Sequence, residues 1–188
     1  MRLFTLIATF LALSISASPM ASQPRPAPEF KIVEASGNQI LLSSFKGKVT
    51  VVTFFLTTCQ HCQRFCQILT NLYREFRLEG FQAVGVAAFN ANTPVEVASF
   101  IKNFGVGFPV GTSVTREAAC AYLGHSVMSQ VIVPQVVVID RKGMIRAQTP
   151  AEGESELRSE PALRNLIKSL LDEGAAKTGK AAAKKTAK

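Results

Sequence analysis

The chain has 188 residues, 47% of them apolar, which suffices for one domain with a proper core plus tails. Its formal net charge of +8 is concentrated near the C-terminus, where Lys177, Lys180, Lys184, Lys185 and Lys188 lie. The body is therefore only slightly basic, and no nucleic-acid partner is expected. Three of the four cysteines crowd into positions 59–66, which suits a reactive site better than a disulfide scaffold.

Residues 1–21 read as an export signal. Arg2 gives the positive start, Leu3 to Leu13 the apolar centre, and Ser14 to Ala21 small residues acceptable to a peptidase. The centre is broken by Thr5 and Thr9 and falls short of the roughly 20 apolar residues of a membrane span, so an N-terminal anchor is the lesser reading. No cysteine lies near the cleavage region, which excludes a bacterial lipoprotein anchor. Residues 22–28, Ser-Gln-Pro-Arg-Pro-Ala-Pro, form a proline-rich spacer without a core of its own.

A single domain is expected over 29–173. The run Val49–Leu56 is a buried strand, and it empties into a helix from about Cys59 to Glu79 with Phe65, Leu69, Leu72 and Phe76 on one face. Gly80 stops that helix. Phe81–Phe89 is a second apolar strand. Thr93-Pro94-Val95-Glu96 opens another helix with a capping box and proline in its first turn, ending near Gly105. Thr115–Leu123 is a short helix stopped by Gly124. Val131–Ile139 is a buried strand interrupted by Pro134, Asp140–Gly143 a turn, and Met144–Gln148 the returning arm of a hairpin. Leu163, Leu166, Ile167, Leu170 and Leu171 mark a C-terminal amphipathic helix. This order predicts an α/β fold with a central mixed β-sheet flanked by helices on both faces. Residues 174–188 carry Ala and Lys without a packing pattern and read as a disordered, at most transiently helical, solubilising tail.

Chemistry is concentrated in Cys59-Gln60-His61-Cys62. A strand leading into a helix that begins with Cys-x-x-Cys delivers one sulfur to the helix N-terminus. There, unpaired backbone N–H groups and the dipole stabilise a thiolate. Cys59 is the expected nucleophile and Cys62 the resolving thiol of disulfide exchange. His61, when protonated, favours the Cys59 thiolate and with it the reduced pair. Cys66 is one turn beyond Cys62 at a separation too wide for a disulfide, so it reads as buried and apolar. Cys120 reads as core and His125 as a loop histidine.

The stretch from Phe30 to Leu171 resembles the TlpA/ResA group of exported thiol–disulfide oxidoreductases within the redoxin superfamily. The resemblance rests on Leu42-Ser-Ser-Phe45-Lys-Gly-Lys48, Cys59-Gln-His-Cys62, Leu72-Tyr73, Phe108-Pro109-Val110, Val133-Pro134 and Ile139-Asp-Arg-Lys-Gly143. It implies a thioredoxin-like fold with a cis-proline at Pro134 beside the cysteines. It also implies a substrate-accepting face at Phe55, Thr58 and Val133. Partners would be thiol- or disulfide-containing proteins, with a membrane redox partner as a further candidate. A monomer in the periplasm or an equivalent exported compartment is expected, with no cofactor beyond the redox-active disulfide and no metal.

The chain departs from that pattern at several positions. Thr58 stands where tryptophan is usual, Phe65 where glutamate is frequent, Gln67 where a proline bends the helix, and Gln135 where threonine is common. Thr53 stands where thioredoxins carry a buried acid. Two alternatives remain at this point. A peroxiredoxin-like peroxidase would need proline and threonine at the positions of Val52 and Leu56. A Sco-like copper-binding chaperone would need a longer cysteine spacing and a distant histidine, for which Cys66 and His125 are the candidates.

Overall fold

A computed structural model describes residues 24–89, 93–112 and 114–185, with side chains to Glu173. In order, the chain forms β1 (Arg25–Pro26), β2 (Lys31–Glu34), β3 (Gln39–Leu41), β4 (Val49–Phe55) and α1 (Gln60–Phe76). There follow β5 (Phe81–Ala87), α2 (Pro94–Phe104), β6 (Val110–Thr112), α3 (Arg116–Leu123), β7 (Gln135–Ile139), β8 (Met144–Gln148) and α4 (Glu160–Lys185). The strands make one mixed sheet in the order β1-β8-β7-β4-β5-β6-β2-β3.

β4 is buried at all seven positions, as a strand covered on both faces must be. It pairs parallel with β5 and antiparallel with β7. Alternate residues feed two cores. Val49, Val51 and Phe55 join α1, α2 and α4 on one face, while Val52 and Phe54 join Ala119, Tyr122 and Leu123 of α3 on the other. The expected α/β sandwich with helices on both faces is present.

The caps were legible. Thr93 and Glu96 form a full capping box on α2, and Gly80 after α1 takes φ 94°. The positive φ is what calls for glycine at this position; a Cβ there would also lie 2.9 Å from the Arg141 guanidinium, the end of a flexible side chain that would have to shift.

Three expectations change. The proline-rich stretch is no free spacer: Arg25 and Pro26 pair with Ile145 and Met144, and the Ala27 N–H donates to Gly143 O. Proline is tolerated there because β1 is an edge strand with one side needing no ladder bonds. The strand expected from Val131 begins only at Gln135, because Pro134 cannot join the ladder. The backbone of α4 continues to Lys185, through residues given above as a tail, consistent with the high helix propensity of Ala and Lys. The export signal expected at 1–21 lies outside the described residues. Among those described, no helix is long and apolar enough to cross a membrane.

Candidate active site

β4 delivers the chain to α1 through Leu56–Thr58, and Cys59 is the N-cap of α1. It is partly exposed, and its Sγ accepts the Cys62 N–H at 3.3 Å. That bond gives one orphan donor of the first helical turn a sulfur partner, a role usually filled by a hydroxyl or carboxylate. Cys62, one turn inside, is fully buried. Burial pushes its thiol well above the ordinary range, and hydrogen bonding to Cys59 adds to this by favouring the protonated form. All four cysteines are free thiols.

Pro134 lies immediately before β7, and the Val133–Pro134 peptide is cis. The register places the start of β7 against the end of β4, with Gln135 opposite Phe54, so the proline and the cysteines share one end of the sheet. A groove of about 270 Å³ opens at this end, lined by His61, Phe65 and Ile68 of α1, by Val133 and Pro134, and by Arg158; it reaches the cysteine pair through His61, which stands between them in sequence. Thr58 is exposed beside Cys59, and Val133 is half-buried. Phe55 is not part of this surface. It is fully buried and stacked on Phe100 at 4.9 Å, because the odd positions of β4 face the helical core.

Two residues that local sequence patterns did not bring into the site hold the proline segment. Arg158 donates from Nε to Pro134 O at 3.0 Å, from Nη1 to Gly153 O at 2.9 Å and from Nη2 to Ile132 O at 3.3 Å. Burial lowers its pKa from the ordinary arginine range, with the negative charge of Glu154 opposing that shift. Gln135, fully buried, donates from Nε2 to Ile132 O and Pro150 O, while its Oε1 accepts the Thr149 hydroxyl at 2.9 Å. His125 Nε2 lies 3.1 Å from the same oxygen. With both amide hydrogens spent, Gln135 Oε1 is an acceptor, so His125 Nε2 carries a hydrogen. His125 is thus a partner of the proline segment. Gln135 was visible in sequence only as a departure from threonine.

Cys66 and Cys120 are fully buried, as expected. Burial pushes the Cys66 thiol up to about 12. Among the described residues no group of three or more His, Cys, Asp or Glu side chains is placed to hold a metal ion.

Residues 24–148 match the AhpC/TSA family. The thiol-disulfide oxidoreductase ResA of Bacillus subtilis (strain 168) is 32% identical over 101 residues, covering 54% of this chain and 55% of that one, so the match spans about half of that relative. ResA of Bacillus thuringiensis subsp. konkukian is 25% identical over 132 residues, 70% of this chain and 72% of that one. Among solved structures, a thiol:disulfide interchange protein of the thioredoxin family from Chlorobium tepidum TLS superposes with TM-score 0.66 at 26% identity, covering 80% of this chain and 98% of that one. The chain belongs to the AhpC/TSA family and is a redoxin of the ResA/TlpA type.

Proposed function

We propose that the chain is a thiol–disulfide oxidoreductase that exchanges disulfides with protein substrates through Cys59 and Cys62, in an exported compartment. The observation that carries this reading is the placing of Cys59 as the N-cap of α1, its sulfur accepting a backbone N–H and Cys62 buried one turn behind it. Export is supported by the signal-like pattern of residues 1–21. The named relatives are thiol–disulfide oxidoreductases, which favours exchange over peroxidase or copper-carrier chemistry.

In the reducing direction the Cys59 thiolate attacks one sulfur of a substrate disulfide. An S–S bond forms between enzyme and substrate, the substrate's own S–S bond breaks, and the departing substrate sulfur takes up a proton. Cys62 then loses its proton and attacks Cys59 Sγ. The mixed disulfide breaks, the second substrate sulfur leaves and is protonated, and the enzyme retains the Cys59–Cys62 disulfide. Two electrons have passed to the substrate. The oxidising direction is the reverse. Burial of Cys62 keeps it a thiol in the resting protein, so the first attack falls to Cys59. Pro134 and Val133 offer the backbone edge against which an extended substrate lies, Thr58 borders it, and His61 on the groove contributes positive charge when protonated.

The test is trapping. Cys62→Ser retains the nucleophile and accumulates mixed disulfides that mass spectrometry assigns to Cys59, while Cys59→Ser accumulates none. Equal trapping by both variants, or by neither, overturns the assignment. The reduction potential of the pair then sets the direction: a value near about −270 mV marks a reductase, and one near about −120 mV an oxidase.

A further inference from the structure

The groove between His61 and Pro134 carries positive charge that no ion pair among the described residues takes up. Arg64, exposed on the second turn of α1, lines this groove and makes no ion pair among the described residues. Arg158 stands on the wall beside Pro134. Its three backbone bonds leave guanidinium N–H groups unspent, since the fork holds more donors than these carbonyls take. His61 adds a cation when protonated, and Glu154 is the one carboxylate in the lining. Between these groups the surface is apolar: Phe65, Ile68, Val133, and an Ile132 that is 44% exposed. The backbone N–H and C=O of Val133 make no hydrogen bond with the described residues, so an extended chain has an edge to pair with.

Resting on the exchange reading above, we propose that the groove selects substrate segments bearing a carboxylate side chain close to the reactive cysteine, and disfavours those bearing lysine or arginine there. The substrate class is thus an extended, acidic-flanked polypeptide. Apolar contacts with Ile132 and Ile68 seat the segment and exclude water, which strengthens the attraction between its carboxylate and the Arg64 and Arg158 guanidiniums. A basic side chain in the same place meets two like charges across a short gap.

The experiment uses two synthetic peptides, each closed by one intramolecular disulfide and differing only in Glu or Lys two residues from the cysteine. Their reduction by the reduced full-length protein is followed at low and high salt, with 2-hydroxyethyl disulfide as an uncharged control. The Glu peptide is expected to react about tenfold faster in kcat/KM at low salt, and the ratio to shrink as salt screens the groove. Arg64→Glu should invert the ratio, and Arg64→Gln should give a value between the two. Arg64 is solvent-exposed on a helix, so both variants keep the packing of α1. A ratio near one in the unmodified protein, or one unmoved by Arg64→Glu, overturns the selectivity while the control still reports exchange. Failure of the peptides and the control together overturns the exchange reading itself.

Discussion

Cys59 and Cys66 lie two turns apart on one helix, yet the first stands at an open mouth and the second in a sealed interior. Cys59 is partly exposed and accepts a backbone N–H at the helix terminus. Cys66 is fully buried among Leu69, Val51 and Phe55, and its thiol is pushed up to about 12 by desolvation first and by the charge of Cys59 second. Cys62 shares the burial of the second and the neighbourhood of the first. Depth and access to the helix terminus are what distinguish the three thiols along α1. The residue type is the same throughout.

The sharpest way to break this comparison is to delete each sulfur in turn. Cys59→Ser is expected to remove disulfide exchange by a factor on the order of 10³ or more, because the attacking group itself is lost. Cys66→Ala should leave the rate within about twofold and instead cost about 1–2 kcal/mol of stability through the small cavity it opens. Turnover of a peptide disulfide and chemical denaturation measure the two effects. If Cys66→Ala were as inactive as Cys59→Ser, the mouth and the interior would not be separate chemical regions.

Alkali distinguishes the regions in a second way. A thiol with an ordinary value of 9.0 that rises to about 12 on folding keeps its proton in the native state after the unfolded chain has released it. The unfolded state then binds fewer protons, so stability is complete below pH about 9 and is lost toward pH 12. The loss is about 1.4 kcal/mol per pH unit for Cys66 alone, with Cys62 adding to it in the reduced protein. Urea titrations at rising pH should show this decline, and Cys66→Ala should make it shallower. A parallel decline in both proteins would mean that the interior thiol is already solvated.

A smaller effect is expected at the far wall of the mouth. Arg158→Ala removes three donors from the carbonyls of Ile132, Gly153 and Pro134 and frees the segment against which a substrate lies. We expect kcat/KM to fall about five- to tenfold, mostly through KM. Lysine should restore little, because a point charge cannot reproduce the fork. Equal loss in kcat with an unchanged KM would place Arg158 in the chemistry of the sulfurs and not in positioning. The reaction of Cys59 with a small neutral disulfide separates the two.

Much of this was legible from local pattern. The seven-residue strand, the helix that starts at the cysteines, the capping box at Thr93 and the stop at Gly80 all follow from periodicity and end signals. The cis-proline followed from family resemblance at Val133-Pro134 and is present. What failed has a common cause in sheet register and long-range pairing. Closeness in sequence to the cysteines puts Phe55 on the expected substrate face, but alternation along β4 turns it into the helical core. The Arg25–Pro26 strand depends on β8, more than a hundred residues away, so composition alone showed only a spacer. Arg158 and Gln135 hold the proline segment through backbone carbonyls that no side-chain motif encodes.

The smallest expected effect lies at Thr53, on the same face of β4 as Val51 and Phe55 and opposite Val136 of β7. Its Oγ1 is buried and has no hydrogen-bond partner among the described residues. A buried, unpartnered hydroxyl costs stability, so Thr53→Val, which keeps the β-branched shape a strand favours, should stabilise the protein by about 1 kcal/mol. The position is also where thioredoxins keep a buried acid, and its strand neighbours Val51 and Phe55 belong to the core that holds Cys62. If the hydroxyl passes the Cys62 proton during resolution, Thr53→Val will instead slow the decay of the mixed disulfide at Cys59. An unpartnered hydroxyl has nowhere within the protein to relay that proton, which is why we expect the decay rate to stay within about twofold and the stability alone to change. Stopped-flow resolution measured beside denaturation separates the outcomes, and a slower decay would extend the chemistry of the mouth one layer into the interior.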